Sequence, residues 1–473
     1  MNAIASDPLL SSFEKLRQAH TNNTPAAVRI NRLDRLQRSL KEHQYALQEA
    51  LKTDYGSRSE ADTLIAEIHA LASCIQYHRR HLRRWMKPQR RHVPMHLQPG
   101  SARVIYQPVG LVGIVAPWNF PVYLSLAPLV TALSAGNLAM IKTSEFAPAT
   151  SAALARLIRD AFTDNEVSVI EGDIDTAVAF THLPFNHLVF TGATTIAPTV
   201  MKAAADNLTP VTLELGGKSP ALIHPEYPVE TAAGHIVYGK AINCGQVCVS
   251  PDYVLVHESK KDELLAALED EFRRRYPTVI NNADYTSIIN TRHDDRLEGL
   301  LSDAEAKGAT IKALWPAGET PEKPCRRPLT LVSDTSDDMR VTREEIFGPI
   351  LPVITYRTLD EAFRYINERE RPLALYYFDQ KRSRADKVIS ETISGGVCIN
   401  ECMTHISVDD MPFGGVGPSG MGHYHGVEGF RNFSHARSVL YRGKINFTQL
   451  TGAPRNHWRW RLFKRFQAWR LGL

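Results

Sequence analysis

Short apolar segments rich in β-branched residues alternate along this chain with segments of helical periodicity. The stretch ARVIYQPVGLVGIVAP (102–117) has extended character, and SPALIH (219–224) and YVLVH (253–257) have the length of buried strands followed by helices. Upstream, residues 29–85 place apolar side chains three and four apart, and the first helical run ends at Gly56, a residue type that commonly terminates helices. Because strands that alternate with helices form a parallel sheet covered on both faces, the sequence predicts an α/β fold.

Size and composition limit the classes of protein to which the chain can belong. With 473 residues it is too long for one ordinary core, so two or three domains are expected. A net charge of +4 is mild and gives no reason to expect a nucleic-acid partner. The six scattered cysteines indicate a reducing compartment, and because their spacing is unlike that of a zinc site, no metal is expected. With no signal-peptide pattern and no long apolar segment, a cytoplasmic protein is expected.

Three short segments carry residues that can do chemistry together. Cys248 lies in GQVCVSP (245–251), where a free cysteine is most often a small buried side chain. Taken alone, Asn119 in VAPWNFP (115–121) is more often a turn or cap residue. Taken alone, Glu214 in VTLELGGKSP (211–220) is more often a solvated residue at the end of a strand. Together they supply a nucleophile, a hydrogen-bond donor for an oxyanion and a base, which favours a catalytic interpretation.

The motifs PWNFP, ELGGKSP, GQVCVSP, EEIFGPILP and PFGGVGPSGMGHYHG follow one another in an order that resembles the NAD(P)-dependent aldehyde dehydrogenases. The resemblance runs from about residue 10 to about residue 440. GQVCVSPDYVLV and SGMGHYHGVEGF further resemble the class 3 branch and, within it, bacterial coniferyl aldehyde dehydrogenases. The resemblance implies oxidation of an aldehyde, either aromatic like coniferyl aldehyde or medium- to long-chain aliphatic, to the carboxylic acid.

Carried over by motif, the resemblance assigns the nucleophile to Cys248, the general base to Glu214 and the oxyanion donor to Asn119. It implies a thioester intermediate on Cys248 that water hydrolyses. Asn400 and His405 are expected near the substrate pocket, His405 as a structural residue. Two alternatives stay open: a non-enzymatic relative of the same fold, and a dehydrogenase that passes the acyl group to coenzyme A, which Glu214 disfavours because it can activate water.

The resemblance also places the residues of a cofactor site. Lys142 and Glu145, in AMIKTSE (139–145), match the positions at the adenosine ribose, where a carboxylate favours NAD over NADP, which stays open as an alternative. Glu345 and Phe347 match the positions at the nicotinamide ribose and ring. Trp118 is expected to shape the same region.

One cofactor motif departs from the family pattern. Thr191 and Gly192 open FTGATTIA (190–197), which matches the strand-to-helix turn at the cofactor pyrophosphate. In this chain Ala193 and Ala197 replace the usual serine and glycine of the family. The loss of a hydroxyl and the gain of a methyl group predict weakened or repositioned cofactor binding.

The resemblance implies an aldehyde dehydrogenase-like α/β architecture with a Rossmann-like cofactor domain, an α/β catalytic domain and a small bridging β element. The predicted divisions are 1–85 with 106–214 for the cofactor domain, 215–422 for the catalytic domain, and 86–105 with 423–442 for the bridge. The bridge pairs RRHVPMHLQPGSARVIY with FSHARSVLY, a pairing that in this family builds a dimer, so a homodimer is expected.

The C-terminal extension, 443–473, lies beyond the family core and is basic and aromatic. Its apolar residues Trp458, Leu462, Phe466, Trp469 and Leu473 fall within about 80° of arc at helical spacing. Around them lie Arg459, Arg461, Lys464, Arg465 and Arg470. Two interpretations stay open: the helix lies on an anionic membrane surface, or its apolar face packs on the protein's own body or on a dimer partner.

Overall fold

The computed structural model describes residues 8–21, 23–319, 324–443, 452–455 and 457–472, with the side chain of residue 96 left aside. The helices are α1 (Pro8–Ala19), α2 (Ala26–Tyr55), α3 (Glu60–Thr63), α4 (Ala70–Trp85), α5 (Pro121–Ala135), α6 (Pro148–Ala161), α7 (Ile174–Thr181), α8 (Ala197–Ala205), α9 (Val229–Ala241), α10 (Lys261–Arg275), α11 (Thr291–Ala306), α12 (Arg340–Arg343), α13 (Leu359–Asn367), α14 (Arg382–Glu391), α15 (Gly426–Asn432) and α16 (Trp458–Arg470). One π-helical turn, Leu64–His69, joins α3 to α4.

The strands are β1 (Gln89–Arg91), β2 (Gly100–Pro108), β3 (Leu111–Val115), β4 (Leu138–Lys142), β5 (Val167–Ile170), β6 (His187–Thr191), β7 (Val211–Glu214), β8 (Pro220–Ile223), β9 (Tyr253–His257), β10 (Thr310–Ala313), β11 (Thr330–Ser333), β12 (Ile350–Tyr356), β13 (Ala374–Phe378), β14 (Gly396–Ile399), β15 (Gly420–Met421) and β16 (Ser434–Arg442). They form three sheets of six, seven and three strands.

The six-stranded sheet has the order β15-β7-β6-β3-β4-β5. Its strands β3 to β7 are parallel, and the short β15 pairs antiparallel with β7. From the central β3 the chain adds β4 and β5 on one side, then β6 and β7 on the other. This order reverses beside β3, and open parallel sheets bind dinucleotides in the crevice at such a reversal. The Rossmann-like part of the predicted fold is confirmed.

The seven-stranded sheet has the order β10-β11-β12-β9-β8-β13-β14 and is parallel apart from the antiparallel β10. It holds SPALIH and YVLVH as the adjacent strands β8 and β9, both buried. One contiguous hydrophobic core includes side chains from both large sheets and from α5, all fifteen residues of which are buried. The loops after the strands are therefore held on a rigid base.

The three-stranded sheet is antiparallel in the order β1-β2-β16. β2 and β16 pair along their full length, from Gly100 opposite Arg442 to Pro108 opposite Ser434. This is the pairing expected between the two bridge segments. Most residues of β16 are exposed, and among the described residues β2 is its one strand neighbour.

The C-terminal helix α16 has no buried residue. Trp458, Leu462, Phe466 and Trp469 are exposed, whereas Trp460 and Phe463 are half-buried and stack with ring centroids 5.5 Å apart. Leu473, which the sequence placed on the same apolar arc, lies outside the described residues. Over the part of the chain that is described, every helix is too short or too polar to cross a membrane.

Candidate active site

Cys248 lies in the loop between α9 and β9, and the backbone just before it is unusual. Asn243, Cys244 and Gly245 have φ values of 48°, 54° and 72°, a left-handed run that reverses the chain after α9. At Gly245 a Cβ atom would lie 2.4 Å from the carbonyl oxygen of Gly348, so only glycine fits this approach. The glycine of GQVCVSP is therefore required by the geometry of the loop.

Gln246 fixes the loop that leads to Cys248. Its amide donates to the carbonyl oxygens of Asn243, at 2.9 Å, and of Ser287, at 3.0 Å. Its side-chain oxygen accepts from the N–H of Ile289 at 3.0 Å. Both the nitrogen and the oxygen of this buried amide are hydrogen-bonded, so the protein itself holds the loop in place.

Cys244 and Cys248 differ in accessibility. Cys244 is buried and donates to the hydroxyl of Tyr285, whereas Cys248 is partly exposed. Burial raises the pKa of the Cys248 thiol, and the nearby carboxylates of Glu214 and Glu345 raise it further, while neighbouring backbone N–H groups oppose the rise. Cys248 is thus held as a thiol, and a base must remove its proton before it can act as a nucleophile.

Glu214 is the last residue of β7 and is 1% exposed. Among the described residues, neither oxygen of its carboxyl group has a hydrogen-bond partner, and burial raises the pKa of Glu214 well above the ordinary value. Buried polar atoms are rarely left without partners, so an unpaired carboxyl group beside a partly exposed thiol marks a place for water or substrate.

Asn119 follows β3 and is buried. Its side-chain amide donates to the carbonyl oxygen of Gln246 at 3.1 Å, which joins the Asn119 loop directly to the Cys248 loop. The amide carries two N–H groups, so this bond leaves one for an oxyanion. The structure brings Asn119, Cys248 and Glu214 to one place, where their predicted roles are chemically feasible.

Aromatic rings surround the same region. Trp118 packs edge-on against Phe347, with centroids 5.4 Å apart, and against His293 at 4.8 Å. The sequence interpretation missed His293, which lies near the start of α11, far from every motif. Burial and nearby arginines lower the pKa of His293 to about 4, so its ring is neutral at pH 7.

Glu345 lies against the turn that follows Glu214. A Cβ atom at Gly216 would sit 2.0 Å from a carboxylate oxygen of Glu345, so the glycine leaves the space that this carboxylate fills. Burial and the charge of Asp252 raise the pKa of Glu345 to about 7. Glu345 also lies close enough to Cys248 for its charge to raise the pKa of that thiol.

The predicted adenosine and pyrophosphate residues share the carboxyl edge of the six-stranded sheet. Lys142 ends β4, with its ammonium group bonded to two backbone carbonyls, and the exposed Glu145 follows in the next turn. Thr191 ends β6 and is followed by Gly192, and within the described part of the chain the buried hydroxyl of Thr191 has no hydrogen-bond partner. An unpaired hydroxyl and a glycine turn beside the strand-order reversal fit a dinucleotide.

The departure at FTGATTIA has a structural context. Ala197 is the first residue of α8 and is buried in the core beneath the six-stranded sheet. Ala193 is exposed, and its carbonyl accepts from the N–H groups of Ile196 and Ala197. The extra methyl group therefore packs inside the protein, and its effect on cofactor binding stays a prediction.

Asn400 and His405 lie near the end of β14. The side-chain oxygen of Asn400 accepts from the backbone N–H of Asp379, and its side-chain N–H donates to the backbone carbonyl of Asp379, each at 2.8 Å. Asn400 therefore has a structural role. His405 is buried against Phe413, and burial lowers its pKa to about 4. Within the described residues, no cluster of His, Cys, Asp and Glu has the arrangement of a metal site.

The strand order and the Cys248 loop together indicate the class of protein. A parallel sheet of dinucleotide-binding order, with a loop that presents a partly exposed cysteine, is typical of oxidoreductases that use a nicotinamide cofactor. Comparison with known proteins then gives the family. The model of the aldehyde dehydrogenase family matches residues 13–439, and the chain belongs to that family.

Similar proteins of known family agree with this assignment. A probable coniferyl aldehyde dehydrogenase of Pseudomonas aeruginosa is 48% identical over 429 residues, 91% of this chain and 89% of the relative. The substrate-bound structure of Staphylococcus aureus AldH has a TM-score of 0.90 and 35% identity, and covers 97% of this chain and 99% of its own. A Mycobacterium tuberculosis aldehyde dehydrogenase complexed with NAD+ has a TM-score of 0.84 and 25% identity, covering 92% and 90%.

The chain is an NAD(P)-dependent oxidoreductase that converts aldehydes to carboxylic acids. The expectation of an aldehyde dehydrogenase fold is confirmed. The non-enzymatic and coenzyme A-acylating alternatives are not favoured.

Proposed function

We propose that the chain oxidises an aromatic aldehyde of the coniferyl type, using Cys248 as the nucleophile, Asn119 as the oxyanion donor and Glu214 as the general base. One observation carries the assignment: the Asn119 amide is bonded to the loop of Cys248, and the unpaired carboxyl group of Glu214 lies close enough to raise the pKa of that thiol.

In the first half-reaction the Cys248 thiol gives its proton to a water molecule, and its sulfur adds to the aldehyde carbon. The carbonyl oxygen becomes an oxyanion that accepts hydrogen bonds from the Asn119 amide and the Cys248 backbone N–H. NAD, when bound, supplies the acceptor for the hydride that leaves this carbon. Cys248 then carries the acyl group as a thioester.

In the second half-reaction Glu214, as the carboxylate, takes a proton from water while the water oxygen adds to the thioester carbon. The same two donors hold the new oxyanion. Its collapse breaks the carbon–sulfur bond and releases the acid and the Cys248 thiolate. A raised pKa suits this task, because a base is most effective when its pKa lies near the working pH.

The aromatic substrate class rests on the relatives named as coniferyl aldehyde dehydrogenases. The test is a comparison of kcat/KM, measured as NADH formation, for coniferyl aldehyde, benzaldehyde, hexanal and dodecanal. We expect coniferyl aldehyde to give the highest value. If dodecanal gives the highest kcat/KM, the aromatic class is wrong and the long-chain class replaces it. If none of the four aldehydes gives NADH, both classes are contradicted.

For the cofactor, we propose NAD in preference to NADP. Glu145 follows Lys142 at the edge where the adenosine ribose is expected, and an exposed carboxylate there repels a 2′-phosphate. The hydroxyl of Thr191, at the turn that Gly192 continues, would lie near the pyrophosphate. Glu345 and Phe347, beside Trp118, would lie near the nicotinamide.

For the assembly, we propose a homodimer whose interface is built on the bridge. We also propose that the chain divides into the domains predicted from the sequence. The nine-residue edge of β16 supports the dimer, because unpaired strand edges tend to pair with another chain. The sheets support the division with one difference. β15, inside 215–422, joins the cofactor sheet beside β7.

For α16, we propose peripheral contact of a cytoplasmic enzyme with anionic membrane surfaces. Trp458, Leu462, Phe466 and Trp469 share an arc of about 80° at 100° per residue and are 39–75% exposed. The helix carries five Arg and Lys residues and no acidic residue. Exposed aromatic side chains flanked by cations fit an anionic lipid surface.

A further inference from the structure

A fully buried ion pair lies behind the proposed site. Arg58 and Glu67 approach within 3.2 Å, and both side chains have no exposed surface. Neither residue belongs to a motif, and neither has a part in the chemistry described above. Taking a charge out of water is costly unless its remaining hydrogen bonds are satisfied, so the partners of this pair show what it holds in place.

Glu67 holds the start of α5, the helix that follows Asn119. Its second carboxylate oxygen accepts from the backbone N–H groups of Val122, at 2.7 Å, and Tyr123, at 3.1 Å. These N–H groups belong to the first turn of the helix and have no partner within it. Burial raises the pKa of Glu67, while the charge of Arg58 and the two N–H groups oppose that rise.

Arg58 holds Asn119 itself. Its guanidinium donates to the backbone oxygen of Asn119 at 3.0 Å, and the same oxygen accepts from the Tyr55 hydroxyl at 3.0 Å and from the side-chain amide of Asn243 at 3.1 Å. Three donors thus converge on one carbonyl oxygen. Arg58 also lies over the rings of Tyr55 and Phe120, at 4.6 and 5.0 Å, which restricts its own movement.

The same network reaches the Cys248 loop. Arg58 donates to the side-chain oxygen of Asn243, and the Asn243 amide donates to the carbonyl of Gln246 at 3.1 Å. That carbonyl is the acceptor to which the side chain of Asn119 is bonded. The segment of the oxyanion donor and the segment of the nucleophile are therefore tied to one buried guanidinium.

We propose that Arg58 and Glu67 are positioning residues that fix the Asn119 amide relative to Cys248, so that the oxyanion of each half-reaction meets a donor already in place. The inference rests on the proposed roles of Asn119 and Cys248. Donors that are placed in advance stabilise a transition state more than donors that must reorganise, and small displacements reduce rates strongly.

Glu67→Gln tests the proposal, since it keeps the shape and one acceptor oxygen but removes the charge. We expect kcat with a soluble aldehyde to fall by about tenfold or more, with KM changed less than about threefold. Tyr55→Phe removes one of the three donors at Asn119 with little change in packing, and we expect a smaller fall in kcat. It also serves as the test if Glu67→Gln does not fold.

A double-mutant cycle separates positioning from general destabilisation. Asn119→Ala should lower kcat by about a hundredfold or more, and Glu67→Gln or Tyr55→Phe in that background should add little, because the donor they position is gone. Glu166→Gln provides the matched control. This carboxylate pairs with Arg32 and Arg35 beside β5, so its change should affect stability but leave kcat as it is.

The outcomes distinguish the two proposals. If Asn119→Ala has the activity of the unmodified enzyme, the proposed role of Asn119 is wrong. If Asn119→Ala is impaired but the Glu67→Gln and Tyr55→Phe effects add fully to it, or are absent in the intact background, the positioning proposal is wrong. Circular dichroism and NAD binding measured on each variant show whether it is folded.

Discussion

Two cysteines four residues apart have different environments in the same loop. Cys244 is buried, bonded to Tyr285 and held in a left-handed backbone, whereas Cys248 is partly exposed beside two carboxyl groups. Accessibility and a neighbouring proton acceptor, more than residue type, decide which thiol can react.

Cys248→Ser should lower NADH formation by at least about a thousandfold, because a hydroxyl group is a far weaker nucleophile than a thiolate at neutral pH. Cys244→Ser is the matched control, since its hydroxyl can keep the bond to Tyr285, and it should retain most of the activity. Initial rates with NAD and one soluble aldehyde measure both. Equal losses in the two variants would contradict the assignment of Cys248.

Glu214→Gln should separate the two half-reactions. The amide cannot take a proton from water, so the thioester should accumulate, with a rapid burst of NADH followed by turnover at least about a hundredfold slower. The measurement is rapid-mixing absorbance, with mass spectrometry of the acylated protein. Steady turnover at the unmodified rate would remove Glu214 from the mechanism.

The raised pKa of Glu214 predicts how the rate of thioester hydrolysis changes with pH. Below that pKa the group is protonated and cannot act as a base, so in the unmodified enzyme thioester hydrolysis should become faster as the pH rises through it. Glu214→Gln should lose this dependence. Single-turnover hydrolysis of the acylated enzyme at several pH values measures it, and a rate that falls with rising pH would contradict the role.

Glu145→Gln should relax discrimination between cofactors by removing the charge that repels a 2′-phosphate. We expect the ratio of kcat/KM for NAD to that for NADP to fall by about tenfold. Glu305→Gln, an equally simple change on the exposed face of α11, should leave the ratio unchanged. An unmodified enzyme that prefers NADP would overturn the proposal.

At the scale of elements, the sequence predicts best where a local signal exists. The end of α2 was predictable because Gly56 adopts the left-handed conformation that terminates a helix, and β8 and β9 because short apolar runs form buried strands. The left-handed run at 243–245 and the π-helical turn 64–69 were not predictable, since both depend on contacts with distant segments.

Helix α16 provides the prediction for a single element. Binding of the full chain to vesicles of phosphatidylglycerol and phosphatidylcholine should exceed binding to phosphatidylcholine alone, and it should weaken with salt, because the lipid charge attracts the helix. Truncation after Pro454 should abolish vesicle binding and preserve activity on a soluble aldehyde. Equal binding by both forms would contradict membrane contact, and loss of the dimer on truncation would show that α16 packs at the interface.

At the scale of the whole molecule, the order of motifs was enough to predict the architecture, but not the connections between its parts. The motifs predicted that Asn119, Glu214 and Cys248 share one site, because the resemblance gives each of them a role in the same reaction. Arg58, Glu67 and His293 carry no such signal, because each acts through contacts with residues distant in the sequence. Glu67 binds the start of α5, and His293 of α11 packs against Trp118. The pairing of β15 with β7 likewise required the structure.

The bridge provides the last prediction. If β16 pairs across a two-fold axis, light scattering should give a mass of about twice 52.9 kDa. Leu440, 49% exposed on β16, should then lie at the interface, and Leu440→Asp should shift the mass toward the monomer by placing like charges across the axis. Ile389→Asp is the matched control, because Ile389 is 51% exposed on α14, away from the bridge. A monomeric unmodified protein, or equal dissociation by both variants, would contradict a dimer built on β16.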